Sequence, residues 1–153
     1  MRSERPPSRW RIATALTILA ALASSAPASA APLRVEDAWV RWLPAGLPAA
    51  GYLTLINDGD APVVLVAVES ADFASVTIHR SIERAGVVRM EPVQGISVGP
   101  HSRLELAAKG YHLMLMNPVR PIDTQRQVSI TLRFGDGSSL PVLFQVRSTG
   151  SGS

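Results

Sequence analysis

Val128-Ser129-Ile130-Thr131-Leu132-Arg133-Phe134, then Gly135-Asp136-Gly137-Ser138, then Leu140 to Val146 (LPVLFQV), reads as two extended runs joined by a tight turn. Glycine and aspartate supply the backbone conformations that a short hairpin connection needs, so this stretch is an antiparallel pair. Upstream the same grammar repeats. Gly51 to Asn57 (GYLTLIN) stops at the turn cluster Asp58-Gly59-Asp60, and Pro62 to Ser70 (PVVLVAVES) is a second run rich in β-branched residues. Val76 to His79, Gly86 to Pro92 (GVVRMEP), Ser102 to Leu106 and Tyr111 to Met116 follow, and Trp39-Val40-Arg41-Trp42 is an early strand or the end of one. No convincing helix is present, since Gly110 cuts short the one helical turn that Ala107-Ala108-Lys109 offers. About eight or nine short strands punctuated by Gly and Pro indicate an all-β protein, an antiparallel sandwich or barrel.

The 153 residues carry a formal charge of +3, but Arg2, Arg5, Arg9 and Arg11 against Glu4 account for all of it. The rest is neutral, and no basic patch argues for nucleic acid. That basic opening precedes an apolar run from Ile12 to Ala23 and a small-residue segment ending Ala28-Ser29-Ala30. Such an order is the grammar of a cleaved export signal, with cleavage after Ala30. The apolar run is too short to span a bilayer, which takes roughly 20 residues. The expected layout is a signal peptide over 1–30, one domain over 31–147 and a small, polar, disordered tail over 148–153. No stable membrane insertion is expected.

The chain has no cysteine. Disulfides, thiol nucleophiles, cysteine-based zinc or iron–sulfur sites and thiolate blue-copper centres are therefore excluded. No Gly-rich phosphate loop, nucleophile elbow or paired-carboxylate site stands out, so an enzyme is not expected.

Histidine and methionine are distributed differently. Beyond the first residue, His79, His101, His112, Met90, Met114 and Met116 all fall between positions 79 and 116. In Tyr111-His112-Leu113-Met114-Leu115-Met116 the strand period of two puts His112, Met114 and Met116 on one face. His79 closes one expected strand and Met90 lies in the next, so a hairpin brings them together. Two such pairs facing each other would form a His2Met2 pocket. Thioethers are soft and uncharged and prefer Cu(I) to Zn²⁺, Mg²⁺ or Ca²⁺. Binding should weaken as the imidazoles protonate. A methionine taken alone is more often core filler, and a histidine alone more often a satisfied polar residue. On spacing alone, a metal site and an ordinary sandwich core both stay open.

The spacing His79-x10-Met90-x21-His112-x-Met114 resembles the H-x10-M-x21-H-x-M signature of the PCu(A)C periplasmic copper chaperones. Ala38 to Arg41, Ala49 to Tyr52, Gly110 to Met116 and Arg120-Pro121 are similar to the family's text, and the likeness covers about residues 33 to 146. It implies a cupredoxin-like antiparallel β-sandwich of Greek-key type with one Cu(I) per chain on His79, Met90, His112 and Met114. It further implies a protein that passes copper towards cytochrome c oxidase assembly, to an oxidase subunit or a Sco-type protein; a monomer is expected. Arg80 and Ser81 stand where many members carry a further methionine, and the tail lacks His and Met, so a second copper is not expected. Met116 is read as core or as support behind the site, and His101, beside Gly99-Pro100, as an exposed turn residue. Trp39, Trp42 and Tyr52 read as core or rim aromatics, with Trp42 and the Pro44 to Pro48 loop as a lesser candidate for an acceptor-docking surface. Two other expectations compete: a copper-scavenging resistance protein, and a metal-free exported sandwich that serves as an interaction module.

Overall fold

The computed structural model describes residues 32–43 and 46–148. The expected signal peptide, residues 44 and 45 of the proline-bounded loop, and residues 149–153 of the tail lie outside them. Ten strands run in chain order: β1 (Leu33–Trp42), β2 (Ala49–Asn57), β3 (Val63–Ser70), β4 (Phe73–Arg84), β5 (Val87–Pro92), β6 (Ile96–Val98), β7 (Ser102–Leu106), β8 (Tyr111–Pro118), β9 (Gln127–Phe134) and β10 (Ser139–Ser148). There is no helix among the described residues, and so none long and apolar enough to cross a membrane.

The strands pair in the order β5-β4-β8-β2-β1-β10-β9-β3-β6, with β7 also on β2. The sheet does not close. It folds over so that β3 lies against β4 across the core, giving the cupredoxin-like sandwich rather than a barrel. All ladders are antiparallel except one: Trp39 to Trp42 of β1 runs parallel to Gln145 to Ser148 of β10. Strand β1 can serve both halves because it bulges between Glu36 and Trp39, where Asp37 takes a left-handed φ of 53°. Ser148, placed in the tail by the sequence, is the last residue of β10 and pairs with Trp42.

Alternation explains the core. Val128, Ile130, Leu132 and Phe134 of β9 point inward, as do Leu113 and Leu115 of β8 and Ile78 of β4. Strand β2 has neighbours on both sides and is buried almost throughout. The β9–β10 turn forms as its sequence suggests: Gly137 adopts φ 86°, and Asp136 Oδ1 accepts hydrogen bonds from the Ser138 amide at 2.8 Å and hydroxyl at 2.6 Å. A single buried polar clasp closes the far end. Asn57 is fully buried, its Nδ2 donating to the carbonyls of Ala61 (2.8 Å) and Gly99 (2.9 Å) while its Oδ1 accepts from the Gly59 amide (3.0 Å).

Two strands differ from expectation in ways that matter for the site. Strand β4 runs from Phe73 to Arg84, three times the length read from Val76 to His79, so His79 sits in mid-strand rather than at its end. The β4–β5 connection is a two-residue turn, Ala85-Gly86, flanked by the pair Arg84↔Val87. Both turn residues have positive φ, 51° and 77°, which is the twist-matched hairpin turn.

Candidate metal centre

Register brings the four candidate ligands together. In antiparallel ladders, directly opposed residues project on the same face. His79 on β4 is opposite His112 on β8, and Met114 on β8 is opposite Thr77 on β4. On the other side of β4, Ser81 is opposite Met90 on β5. Thr77, His79 and Ser81 share a face of β4 because they are two apart. His79, Met90, His112 and Met114 therefore all project from one face of the β5-β4-β8 strip, while Ile78, Leu113 and Leu115 fill the core behind it. The expectation of two facing hairpins needs correcting: the two His/Met pairs lie on neighbouring strands of one sheet. The physical reason is that β8 pairs directly with β4, a long-range contact that local spacing does not encode.

The outward face is not bare. Leu43, Leu47 and Pro48, between β1 and β2, roof a cavity of about 250 Å³ whose walls include Met90, His112 and Met114. His112 is buried, Met114 half-buried, and Met90 on the edge strand is 54% exposed. His79 stands beside His112 with 6.1 Å between ring centroids, but does not line that cavity.

Each imidazole has one nitrogen held and one free. The Nδ1–H of His112 donates to the Gly110 carbonyl at 3.3 Å, and since a carbonyl only accepts, that hydrogen bond leaves Nε2 with its lone pair. His79 Nε2 lies 3.0 Å from the Thr77 hydroxyl. The remaining nitrogens, His112 Nε2 and His79 Nδ1, are buried and have no hydrogen-bond partner. Two buried ring nitrogens without partners are costly in an ordinary core; His112 Nε2 offers a lone pair to a metal, and His79 Nδ1 offers one in the tautomer whose Nε2–H donates to the Thr77 hydroxyl. Burial, and secondarily the nearby His112, hold His79 below the usual imidazole range, which keeps it neutral and ready to ligate. With two thioethers alongside, the donor set fits a soft monovalent ion. Among the described residues, no group of three or more His, Cys, Asp and Glu side chains offers a harder alternative.

Sequence reasoning missed the orienting partners. Thr77 was within reach of it, because it lies two positions before His79 and so on its face. The Gly110 carbonyl was not, because every residue has one. Met116 shares the face of Met114 opposite Ser75, half-buried and away from the cavity walls. His101 is an exposed turn residue with φ 48° whose Nε2 lies 2.8 Å from Asp60 Oδ1. Trp39 packs against Tyr52 with the rings tilted and 4.7 Å between centroids, and Trp42 meets Phe73 at 6.4 Å.

Residues 33–146 match the family described as "Putative lipoprotein LpqE-like". The chain is 32% identical over 116 residues to "Putative lipoprotein Lxx21020" of Leifsonia xyli subsp. xyli (strain CTCB07), an alignment covering 75% of this chain and 69% of that one. Among solved structures it resembles the copper-bound PCuAC domain from PmoF2 (26% identity, TM-score 0.63, covering 76% and 93% of the two chains). It also resembles CuI-DR1885 from Deinococcus radiodurans, determined in solution (31% identity, TM-score 0.64, covering 86% and 89%). The chain belongs to the LpqE-like family, a relative of the PCu(A)C domains that its motif resembles.

Proposed function

We propose that this protein is an exported, non-enzymatic carrier that holds one Cu(I) on His79, Met90, His112 and Met114 and hands it to an acceptor. The observation that carries the reading is the pair of buried, unpartnered ring nitrogens on opposed histidines, with two thioethers on the same sheet face. Copper-bound relatives of the same fold support it. The histidines anchor the ion, and the thioethers favour Cu(I) while leaving it exchangeable. Exposure of Met90 on an edge strand favours delivery over sequestration, because an incoming ligand can displace that thioether first. The acceptor we infer belongs to cytochrome c oxidase assembly, either an oxidase subunit or a Sco-type protein, reached in the periplasm after removal of residues 1–30. Relatives described as lipoproteins are in keeping with export.

The test is an anaerobic Cu(I) titration against a chromophoric chelator, with His79→Ala and Met114→Ala in parallel and circular dichroism to confirm folding. One equivalent bound tightly, and weakened by both substitutions, is expected. Failure of the folded protein to compete with the chelator overturns the reading.

A further inference from the structure

Arg41 also faces the cavity beside the candidate ligands. Register places it there: Arg41 on β1 is opposite Ala50 on β2, and Ala50 is opposite Met114 on β8. The other walls are largely apolar, among them Leu43, Leu47 and Ala49, and no acidic side chain among the described residues lines this cavity. Arg41 Nε is buried and has no hydrogen-bond partner. Arg34, Arg103, Arg120 and Arg133 form ion pairs, Arg80 and Arg147 lie over Tyr111 and Trp39, and Arg84, Arg89 and Arg126 are exposed to solvent. Asp37 and Glu105 border a neighbouring groove that Arg41 shares, yet neither pairs with it.

We propose that this cavity is a carboxylate-binding subsite, with the guanidinium of Arg41 as its anchor. The two Nη–H groups of a guanidinium form a planar edge that matches the two oxygens of a carboxylate, while the buried Nε of Arg41 lies covered behind that edge. An apolar surround strengthens such a pair and makes the unpaired donor costly. Its size, about 250 Å³, admits a small acid or one side chain. The significance of the subsite rests on the copper reading: two neutral imidazoles and two thioethers leave the bound ion's charge uncompensated, and Arg41 adds a second positive charge close by. A carboxylate seated there offsets both. It comes either from a free organic acid or from an acidic side chain of the acceptor protein.

The experiment uses metal-free protein and follows the Arg41 Nε–Hε resonance by ¹⁵N-correlated NMR, assigned by its loss in Arg41→Lys. The probes are sodium acetate, acetyl-Asp-Met-amide and the uncharged control acetyl-Asn-Met-amide, with sodium chloride at matched ionic strength. Saturable movement of this resonance with acetate or the Asp peptide, and not with chloride or the Asn peptide, is expected. The amides of Ala50 and Met114 should report the same titration, weakened on the order of tenfold or more in Arg41→Gln. Tighter binding of the Asp peptide than of acetate assigns the subsite to a protein side chain, and no tighter binding assigns it to a free acid. An unmoved resonance, equal movement with chloride, or equal binding of the Asn peptide overturns the proposal. Because no copper is present, this failure and a failure of the Cu(I) titration are separate results.

Discussion

Gly51→Ala tests whether the close approach of β2 to β8 sets the position of two candidate ligands. Gly51 is opposite Leu113, the residue between His112 and Met114. A Cβ at Gly51 would lie 3.1 Å from Leu113 Cβ, 3.2 Å from Leu115 Cδ1 and 3.4 Å from Leu113 Cδ1. Carbon contacts are most favourable at about 3.5–4.0 Å, so the strands must part by roughly half an ångström. Leu115 can turn its methyl aside. Leu113 Cβ cannot, because it is bonded to the β8 backbone. Overpacking of this kind costs about 1–3 kcal/mol, and reduced freedom of the unfolded chain returns about 0.4–1 kcal/mol. A net loss of about 1–2 kcal/mol should lower the Tm by about 3–8 °C, measured by calorimetry on metal-free protein. Cu(I) affinity should fall as well, because the displaced strand carries His112 and Met114. Gly110→Ala is the control: its Cβ would meet only the Ala107 carbonyl at 4.0 Å, so it should leave the Tm nearly unchanged. A Gly51→Ala protein as stable as the parent, with undiminished Cu(I) affinity, would refute the argument that this contact positions the site.

Asn57→Ala removes a fully buried clasp far from the site; it should cost about 2–4 kcal/mol in urea unfolding while Cu(I) affinity stays the same. Loss of copper affinity together with stability would show that the two ends of the sandwich are coupled. His79 is held below its ordinary value of 6.5, so the unfolded chain takes up this proton first as pH falls. Its contribution to stability is complete above pH 6.5 and lost as pH drops through the lower folded value; His79→Gln should flatten that part of the stability–pH curve, and an unchanged curve would count against the assignment. Gly86→Val places a β-branched residue at φ 77° and should cost the hairpin about 1–2 kcal/mol. Because β5 is exposed along its length, the effect should appear as faster amide exchange from Val88 to Met90, and uniform exchange rates would argue against a separately fraying hairpin.

Much of the strand content was legible because it depends on local chemistry. The β9–β10 hairpin was declared by Gly135-Asp136-Gly137-Ser138, and the shared face of His112 and Met114 by the strand period alone. What was hidden depends on distant pairing. Nothing within Val76 to His79 announces that the strand continues to Arg84, because Arg80, Ser81, Glu83 and Arg84 read as loop residues until β5 pairs with them. The parallel β1–β10 ladder and the short strand Ile96–Val98 were invisible for the same reason. The four candidate ligands were named from the motif. How they come together follows from β8 lying beside β4, and a lone Arg41 in a strand carried no pattern to reveal that it faces them.

The two gaps in the ligand spacing are unequal in what they tolerate. The ten residues from His79 to Met90 are a hairpin with a two-residue turn, so their number follows from geometry. One residue added within β5 between Val87 and Met90 would move Met90 to the opposite face of the strand. The twenty-one residues from Met90 to His112 cross β6 and β7 with their connecting loops, and β8 is held by β2 and β4 rather than by the length of its approach. Insertions around Gln94 or Pro100 would lengthen the second gap and leave every ligand in place. Distant kin can therefore be sought by a strict first interval and an elastic second one, and some that fail a fixed-length pattern will carry the same four side chains in the same arrangement.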